Sequence, residues 1–351
     1  MDLPVGPPLE PMLGRLVREL PRGGFLYEPK WDGFRCIAFR DGREVDLRSR
    51  HGRPLARYFP ELVEALSAIA AERFAVDGEI VVVTERGFDF PALMARLHPA
   101  ASRVERLRLE TPAQFVAFDL PALGDDDLTR RPFAERRVLL EALFSSLSPP
   151  LHLTPATEDA AVALGWIESF QGSGVDGVMA TRLDQPYQPG ARAMVKVKPE
   201  RTDDCVLGGF RAFADEPVVA SLLLGLYDDT GELQHVGVAS SFRETRRREL
   251  YEELAQQVVP LESHPWRAGF LLTGGAMGRL PGAAGTWAPE FGADWAPLAP
   301  ERVCEVAYDQ LDDYRFRHPA RFRRWRPDRE PSSCTLDQIT PPGVGPQALL
   351  R

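Results

Sequence analysis

Apolar positions along the chain follow two rhythms. Residues 25–27, 34–39 and 45–47 are apolar clusters of strand length, and Asp41-Gly42 is a hairpin turn signal between the last two. A helical rhythm takes over at 61–71 and predicts an amphipathic helix. Residues 74–76 and 80–84 read as strands flanking a turn at Asp77-Gly78, and 115–120 reads as a buried strand. Residues 134–144 carry helical periodicity with an Arg- and Glu-rich outer face. A further helix spans 158–170, entered after Thr157 as its N-cap, and strands return at 175–180 and 194–197. Ahead of all these, residues 1–23 are Pro-rich around one short helical stretch at 12–20. Strands do not alternate strictly with helices, so this half is mixed α+β.

The pattern changes after residues 199–203, the linker candidate. Residues 205–210, 221–227 and 234–239 are closely spaced strands, one helix covers 243–258, and a last strand covers 303–308. Few strands with one helix suit a small β-barrel such as an OB-fold. The expected organisation is a domain over 1–200, a second over 201–330, and a tail over 331–351. No internal repeat is visible, and neither Gly208-Gly209 nor Gly274-Gly275 is followed by the Lys-Ser/Thr of a phosphate loop.

Composition excludes several classes. At 44% hydrophobic and 26% charged residues, the 351-residue chain is globular rather than disordered. No apolar run approaches a membrane span, and residues 1–23 lack a signal-peptide pattern, so a cytoplasmic protein is expected. The four cysteines (Cys36, Cys205, Cys304, Cys334) are far apart, which speaks against a disulfide scaffold or structural zinc. The histidines show no ligand spacing. Net charge is −9, so any contact with nucleic acid must come from local basic clusters.

The basic residues are unevenly divided. Only Lys30, Lys196 and Lys198 are lysines; the other 39 are arginines. A drift toward Arg that strong removes dispensable lysines. The three that remain are candidates for chemistry that Arg, which never deprotonates, cannot perform. Lys30 lies in the segment Glu28-Pro29-Lys30-Trp31-Asp32-Gly33-Phe34-Arg35, between two expected strands. This reads either as a nucleophilic lysine flanked by a carboxylate and a guanidinium, or as a surface turn with a salt-bridged lysine. Lys196 and Lys198 alternate along a strand and share a face. Two ammonium groups placed so need an anion between them, and a triphosphate supplies one. Asp176 is either a turn residue or a hard-oxygen ligand suited to Mg²⁺. Residues 315–329 hold seven arginines and one acid, interleaved with Phe316, Phe322 and Trp325, which suggests a folded cationic segment.

In order along the chain, these pieces resemble the covalent nucleotidyltransferases, and within them the ATP-dependent DNA ligases. Lys30, Asp32, Gly33 and Arg35 match KxDGxR. Ser49-Arg50 resembles the SRN-type motif with His51 in place of Asn, Asp77-Gly78-Glu79 the DGE motif, and Phe118-Asp119 the segment whose ring stacks on adenine. Asp176-Gly177-Val178, Lys196-Val197-Lys198 and Arg326-Pro327-Asp328-Arg329 resemble the fourth motif, KxK and RxDK. The strings KWDGFR, AERRVLLEAL, YQPGARAMVKVK and RFRHPARFRRWRPDR are most similar to the small bacterial ligases of the LigC type and to the ligase module of LigD. Two positions depart from the family: Thr181 and Arg329 stand where lysine is usual.

The resemblance implies an α+β nucleotidyltransferase (ATP-grasp-like) domain followed by a β-barrel OB-fold domain. It implies sealing of 5′-phosphate/3′-hydroxyl nicks at the expense of ATP, through a lysyl-AMP intermediate on Lys30 and a DNA-adenylate, in DNA repair. Implied ATP or AMP contacts are Glu28, Pro29, Arg35, Arg50, Glu79, Phe118, Lys196, Lys198, Arg326 and Arg329. Asp32, Glu79 and Asp176 are implied to hold Mg²⁺ or Mn²⁺. Arg48, Arg50, Arg53 and Arg57, close together with no acid between them, read as a DNA phosphate-tracking patch, against the alternative of a solvated loop. Implied partners of this monomer are nicked or gapped duplex DNA and a separate gap-filling polymerase or primase, with no membrane. An RNA-ligating or mRNA-capping enzyme shares KxDG, but the long Arg-rich RxDR segment argues against capping. A non-catalytic DNA-end-binding module has no need to retain all three lysines.

Overall fold

In the computed structural model the description covers residues 1–84, 87–170, 175–198, 200–213, 216–268, 295–309, 311–312, 314–339 and 349–350, without the side chains of Asp176 and Asp312. The chain forms two units, Met1–Pro199 with Pro341–Arg351, and Glu200–Thr340.

The first unit is built on two sheets. The smaller orders its strands Gly14–Val17, Met194–Val197, Val175–Arg182, Phe25–Trp31, with only the first pair parallel. The larger runs Glu44–Ser49, Phe34–Asp41, Arg73–Thr84, Ala113–Leu123, Asp126–Asp127, with Leu151–Leu153 added in parallel to Ala113–Leu123. Its main core gathers Leu62 and Leu66 from the helix Pro60–Ser67, Phe74, Phe115, and Leu140 and Phe144 from the helix Phe133–Phe144.

Several expectations need correction here. The stretch 12–20 is not helical: Gly14–Val17 is a strand, paired in parallel with Met194–Val197. So short a helix cannot compete with a ladder supplied from elsewhere in the chain. Asp77-Gly78 is not a turn, because Arg73–Thr84 runs straight through it as one strand. The helix Ala160–Ser169 is capped by Asp159, whose carboxylate accepts the Ala161 N–H at 2.7 Å, rather than by Thr157. The short helices Phe90–Ala95 and Ala101–Glu110 were not foreseen. The Arg-rich face of Phe133–Phe144 is not its outer face: Arg136 and Arg137 are both buried.

The second unit is one antiparallel sheet ordered Leu233–Ala239, Val219–Tyr227, Arg201–Ala212, Ala296–Tyr308, Arg321–Trp325. A bridge between Ala239 and Ala320, with the Ala320 N–H 2.8 Å from the Val238 carbonyl oxygen, brings the start of the last strand back to the first and curls the sheet into a barrel. Leu207, Leu222, Leu224, Val236, Leu250 and Trp266 fill it. Residues 201–203 belong to a strand, not to a linker; Pro199 lies outside the described residues, as does Gly274-Gly275. Nor is 331–339 a tail. It forms the turns Pro331–Ser333 and Leu336–Ile339, with Cys334 and Ile339 buried. Leu349 and Leu350 instead pack in the first unit against the cluster of Trp31, Val81, Val116, Phe170 and Val175. Among the described residues, no helix is long and apolar enough to cross a membrane.

Candidate active site

Strand alternation puts Glu28 and Lys30 on the same face of Phe25–Trp31. They line a cavity of about 240 Å³ within the first unit. Pro29, Arg35, Arg50, Glu79, Phe118 and Lys196 line it too, so eight of the residues singled out from sequence converge. Gly33, three residues beyond Lys30, has a packing reason: a Cβ there would run into the Ile80 carbonyl oxygen. Gly78 has the same kind of reason, since a Cβ would strike the Phe115 ring.

The cavity is cationic around the two lysines. Burial, and then Lys30, Lys198, Arg50 and Arg192, hold Lys196 below the usual lysine value. Such a cluster favours a bound polyanion. Lys198 sits just past the end of Met194–Val197 and acts on Lys196 through this field.

Behind the wall, buried arginines are fixed by buried carboxylates. Arg35 makes a two-pronged pair with Asp77, Nε to Oδ1 and Nη2 to Oδ2, both at 2.7 Å. The Tyr187 hydroxyl donates to the same carboxylate at 2.7 Å. Arg35 then lies 4.2 Å over the Phe118 ring. Thus the first role of Arg35 is to pair with the Asp of Asp-Gly-Glu, and one face of Phe118 is already covered. Asp119, whose strand partner is Asp77, is gripped at 2.7 and 2.8 Å by Arg136. Arg137 reaches Glu28 at 2.8 Å.

Carboxylates suited to a divalent cation are present. Burial pushes Glu79 up to about 7 against the pull of Arg35 and Lys30, and Asp32 raises it further. Two crowded carboxylates beside the lysine-lined cavity match how Mg²⁺ is usually held, by one or two carboxylates with substrate oxygens. Among the described residues no three His, Cys, Asp or Glu side chains form a ready-made metal cluster, and the Asp176 side chain lies outside them. The raised Glu79 value fixes a sign for pH. Its stabilising contribution is complete below the unfolded-state value near 4.5 and is lost as pH rises through about 7. Metal-free protein should therefore lose stability between about pH 4.5 and 7, on the order of 1–3 kcal/mol from this group. Thermal melts of Glu79→Gln should show a flatter pH profile; an equally steep one assigns the loss to other groups.

Other expected residues are placed differently. Arg48 pairs with Asp46 at 2.6 Å, so it is not part of an open basic patch; the acid lies two residues before it on the same strand. Arg50 joins the cavity, Arg53 is exposed, and the exposed Arg57 lies over the Tyr58 ring. In the second unit, Arg326 Nη1 is 2.9 Å from both oxygens of Asp204, while its Nε and Nη2 are 3.0 Å from Asp328. Arg329 lies 3.4 Å from Asp204. Arg321 and Arg323 pair with Glu200, and Arg324 with Glu305 at 2.8 Å. Arg321, Arg323, Arg324, Arg326 and Arg329 are thus each paired with an acid, which weakens the field of the run. Thr181, buried at 1% exposure, has an Oγ1 with no hydrogen-bond partner. Sequence reasoning missed Met12, Thr154, Met179, Arg192 and Met194 as cavity walls. Arg192 and Met194, like Tyr187, sit inside the string YQPGARAMVKVK, so the signal was there without a role attached.

Comparison with known proteins agrees with this geometry. Residues 11–198 match the model of the ATP dependent DNA ligase domain, and residues 215–329 that of the ATP dependent DNA ligase C terminal region. The chain belongs to the ATP-dependent DNA ligases. It is 51% identical to DNA ligase C2 of Mycolicibacterium smegmatis, over 97% of each chain. It is 48% identical to DNA ligase C of Mycobacterium tuberculosis, over 97% of this chain and 96% of that one. The structure from a study of Lig E DNA ligases shares the fold at TM-score 0.52 and 17% identity, covering 90% of this chain and 99% of that one. The two units of this ligase are accordingly its nucleotidyltransferase domain and its C-terminal OB-fold domain.

Proposed function

We propose that this ligase seals 5′-phosphate/3′-hydroxyl nicks in duplex DNA, with Lys30 as its nucleophile. The observation that carries the reading is the meeting of Lys30 and Lys196, two of only three lysines, in one cavity with Arg50 and Arg192. The Lys30 Nζ lone pair attacks the α-phosphorus of ATP. A P–N bond forms, the α–β P–O bond breaks, pyrophosphate leaves, and the amine gives up a proton. Lysyl-AMP then passes its AMP to the 5′-phosphate of the nick. Finally the 3′-hydroxyl attacks that phosphate and AMP departs. Each transfer spreads negative charge over equatorial oxygens, which Lys196, Arg50 and Arg192 are placed to neutralise. A divalent cation held by Glu79 and Asp32 adds Lewis-acid stabilisation when bound. Asp204 and Asp328 already hold Arg326, and Asp204 lies beside Arg329, so any phosphate contact of either arginine competes with these carboxylates. A repair role in the bacterial cytoplasm alongside a separate gap-filling polymerase completes the reading.

The test is incubation with α-labelled ATP, α-labelled GTP and NAD⁺, followed by sealing of a labelled nick. Stable labelling from ATP with sealing is expected; no covalent adduct overturns the proposal. DNA contact is assigned to Arg53 and Arg57, the exposed arginines of the expected patch that do not line the cavity. In Arg53→Ala, Arg57→Ala protein, the log–log salt slope of nick binding should fall by about two, roughly one for each phosphate that is no longer neutralised. An unchanged slope moves the DNA path elsewhere.

A further inference from the structure

Three wall residues of the cavity, Met12, Met179 and Met194, pack in one cluster with Tyr187, which is buried and does not itself line the cavity. Tyr187 is held at three points. Its backbone N–H donates to the Thr129 carbonyl oxygen at 2.7 Å, the Arg136 guanidinium lies 5.7 Å from its ring centroid, and its hydroxyl donates to Asp77 Oδ2 at 2.7 Å. Tyr187 also opens the stretch of chain that delivers Arg192, Met194 and Lys196 to the cavity. Its hydroxyl thus ties that stretch to Arg73–Thr84, the strand of Asp77 and Glu79.

Asp77 is fully buried, and its two oxygens take three hydrogen bonds, two from Arg35 and one from Tyr187. Arg35 spends Nε and Nη2 on that pair, and its Nη1 makes no hydrogen bond among the described residues. Arg35 lines the cavity and its side chain is 18% exposed, so Nη1 is the nitrogen left for a ligand. Where Nη1 points depends on Asp77. A carboxylate turns about a broad terminal torsion, and a guanidinium that grips both oxygens turns with it. The Phe118 ring, 4.2 Å from the guanidinium, limits tilt of the guanidinium plane but not rotation within it. The Tyr187 hydroxyl on Oδ2 removes that remaining freedom. Burial pushes the Tyr187 hydroxyl well above the usual tyrosine range, so it stays a donor.

We infer that Tyr187 is a positioning residue for lysyl-AMP formation: its hydroxyl locks the Asp77 carboxylate and so aims Arg35 Nη1 at the nucleotide bound beside Lys30. This rests on the adenylylation reading above. A small misplacement of a group that orients the reactants costs rate even when every contact of the folded protein survives. Removing the hydroxyl leaves the Asp77–Arg35 pair in place, so the fold is kept and only the aim of the guanidinium is released.

The experiment measures the second-order rate constant for covalent labelling by α-labelled ATP in wild type, Tyr187→Phe, Arg35→Lys and the double variant, with the folded fraction of each read from thermal melts. In Tyr187→Phe the rate constant should fall about tenfold, the scale of one hydrogen bond to a charged group, with the protein still folded at the assay temperature. Arg35→Lys keeps the charge but cannot grip both oxygens of Asp77. Adding Tyr187→Phe to it should therefore cost less than about twofold more, because the fork that Tyr187 aims is already gone. Losses that multiply, or a folded fraction that falls in step with labelling, would reduce Tyr187 to a structural role and overturn the inference. If Arg35→Lys does not fold, the comparison of rate constant with folded fraction in Tyr187→Phe decides the matter. Wild-type protein that forms no adduct overturns the adenylylation reading and this inference with it, whereas an adduct in wild type beside an unchanged Tyr187→Phe overturns the inference alone.

Discussion

Lys30→Arg protein should form no AMP adduct, with self-adenylylation reduced by at least about four orders of magnitude. It should still seal nicks supplied already adenylylated. The substitution keeps a positive charge in the cavity and removes only the titratable amine. In the last step the nucleophile is the DNA 3′-hydroxyl, so Lys30 has no covalent part in it. The two assays separate chemistry from folding. Loss of both would show that Lys30 supports the cavity rather than performing the first transfer, and a labelled Lys30→Arg protein would move the nucleophile elsewhere.

The largest effect on stability is expected at the Asp119–Arg136 pair. Arg136 is fully buried and gives Asp119 two hydrogen bonds, with further bonds to the carbonyl oxygens of Arg131 at 2.7 Å and Gln185 at 3.0 Å. Burial pushes the Asp119 carboxyl up, and Arg136 pulls it back. Removing one partner leaves the other charged and out of water. Asp119→Ala should cost about 3–5 kcal/mol, while Asp119→Leu with Arg136→Met should recover a good part of that loss. Chemical denaturation of the four proteins of the cycle measures the coupling. A loss below about 1 kcal/mol in Asp119→Ala would mean that water reaches the guanidinium and the pair is not sealed.

The chemistry-bearing residues were legible because chemistry constrains residue type at short range. Lys30, Gly33 and Arg35 lie within six positions, and an almost lysine-free chain made Lys196 and Lys198 conspicuous. That Phe25–Trp31 and Arg73–Thr84 run on as continuous strands, which puts Glu28 and Lys30, and Asp77 and Glu79, each on a shared face, was decided by the fold. The closely spaced strands of the second half were enough for a small barrel. What sequence could not supply was partnership across distance. Asp77-Gly78 looked like a turn because Asp-Gly usually is one, yet Asp77 is the anchor for Arg35 and for Tyr187, 110 residues away. Arg136 and Arg137 looked solvated because arginines on a helix usually are, yet the carboxylates that allow their burial come from strands 17 and 109 residues away. Arg48 looked available until Asp46 was seen beside it, and the arginines of 321–326 until Glu200, Asp204 and Glu305 were. A charge belongs inside or outside a protein according to whether an opposite charge meets it, and that meeting is decided by the sheet register and helix packing that the tertiary fold imposes.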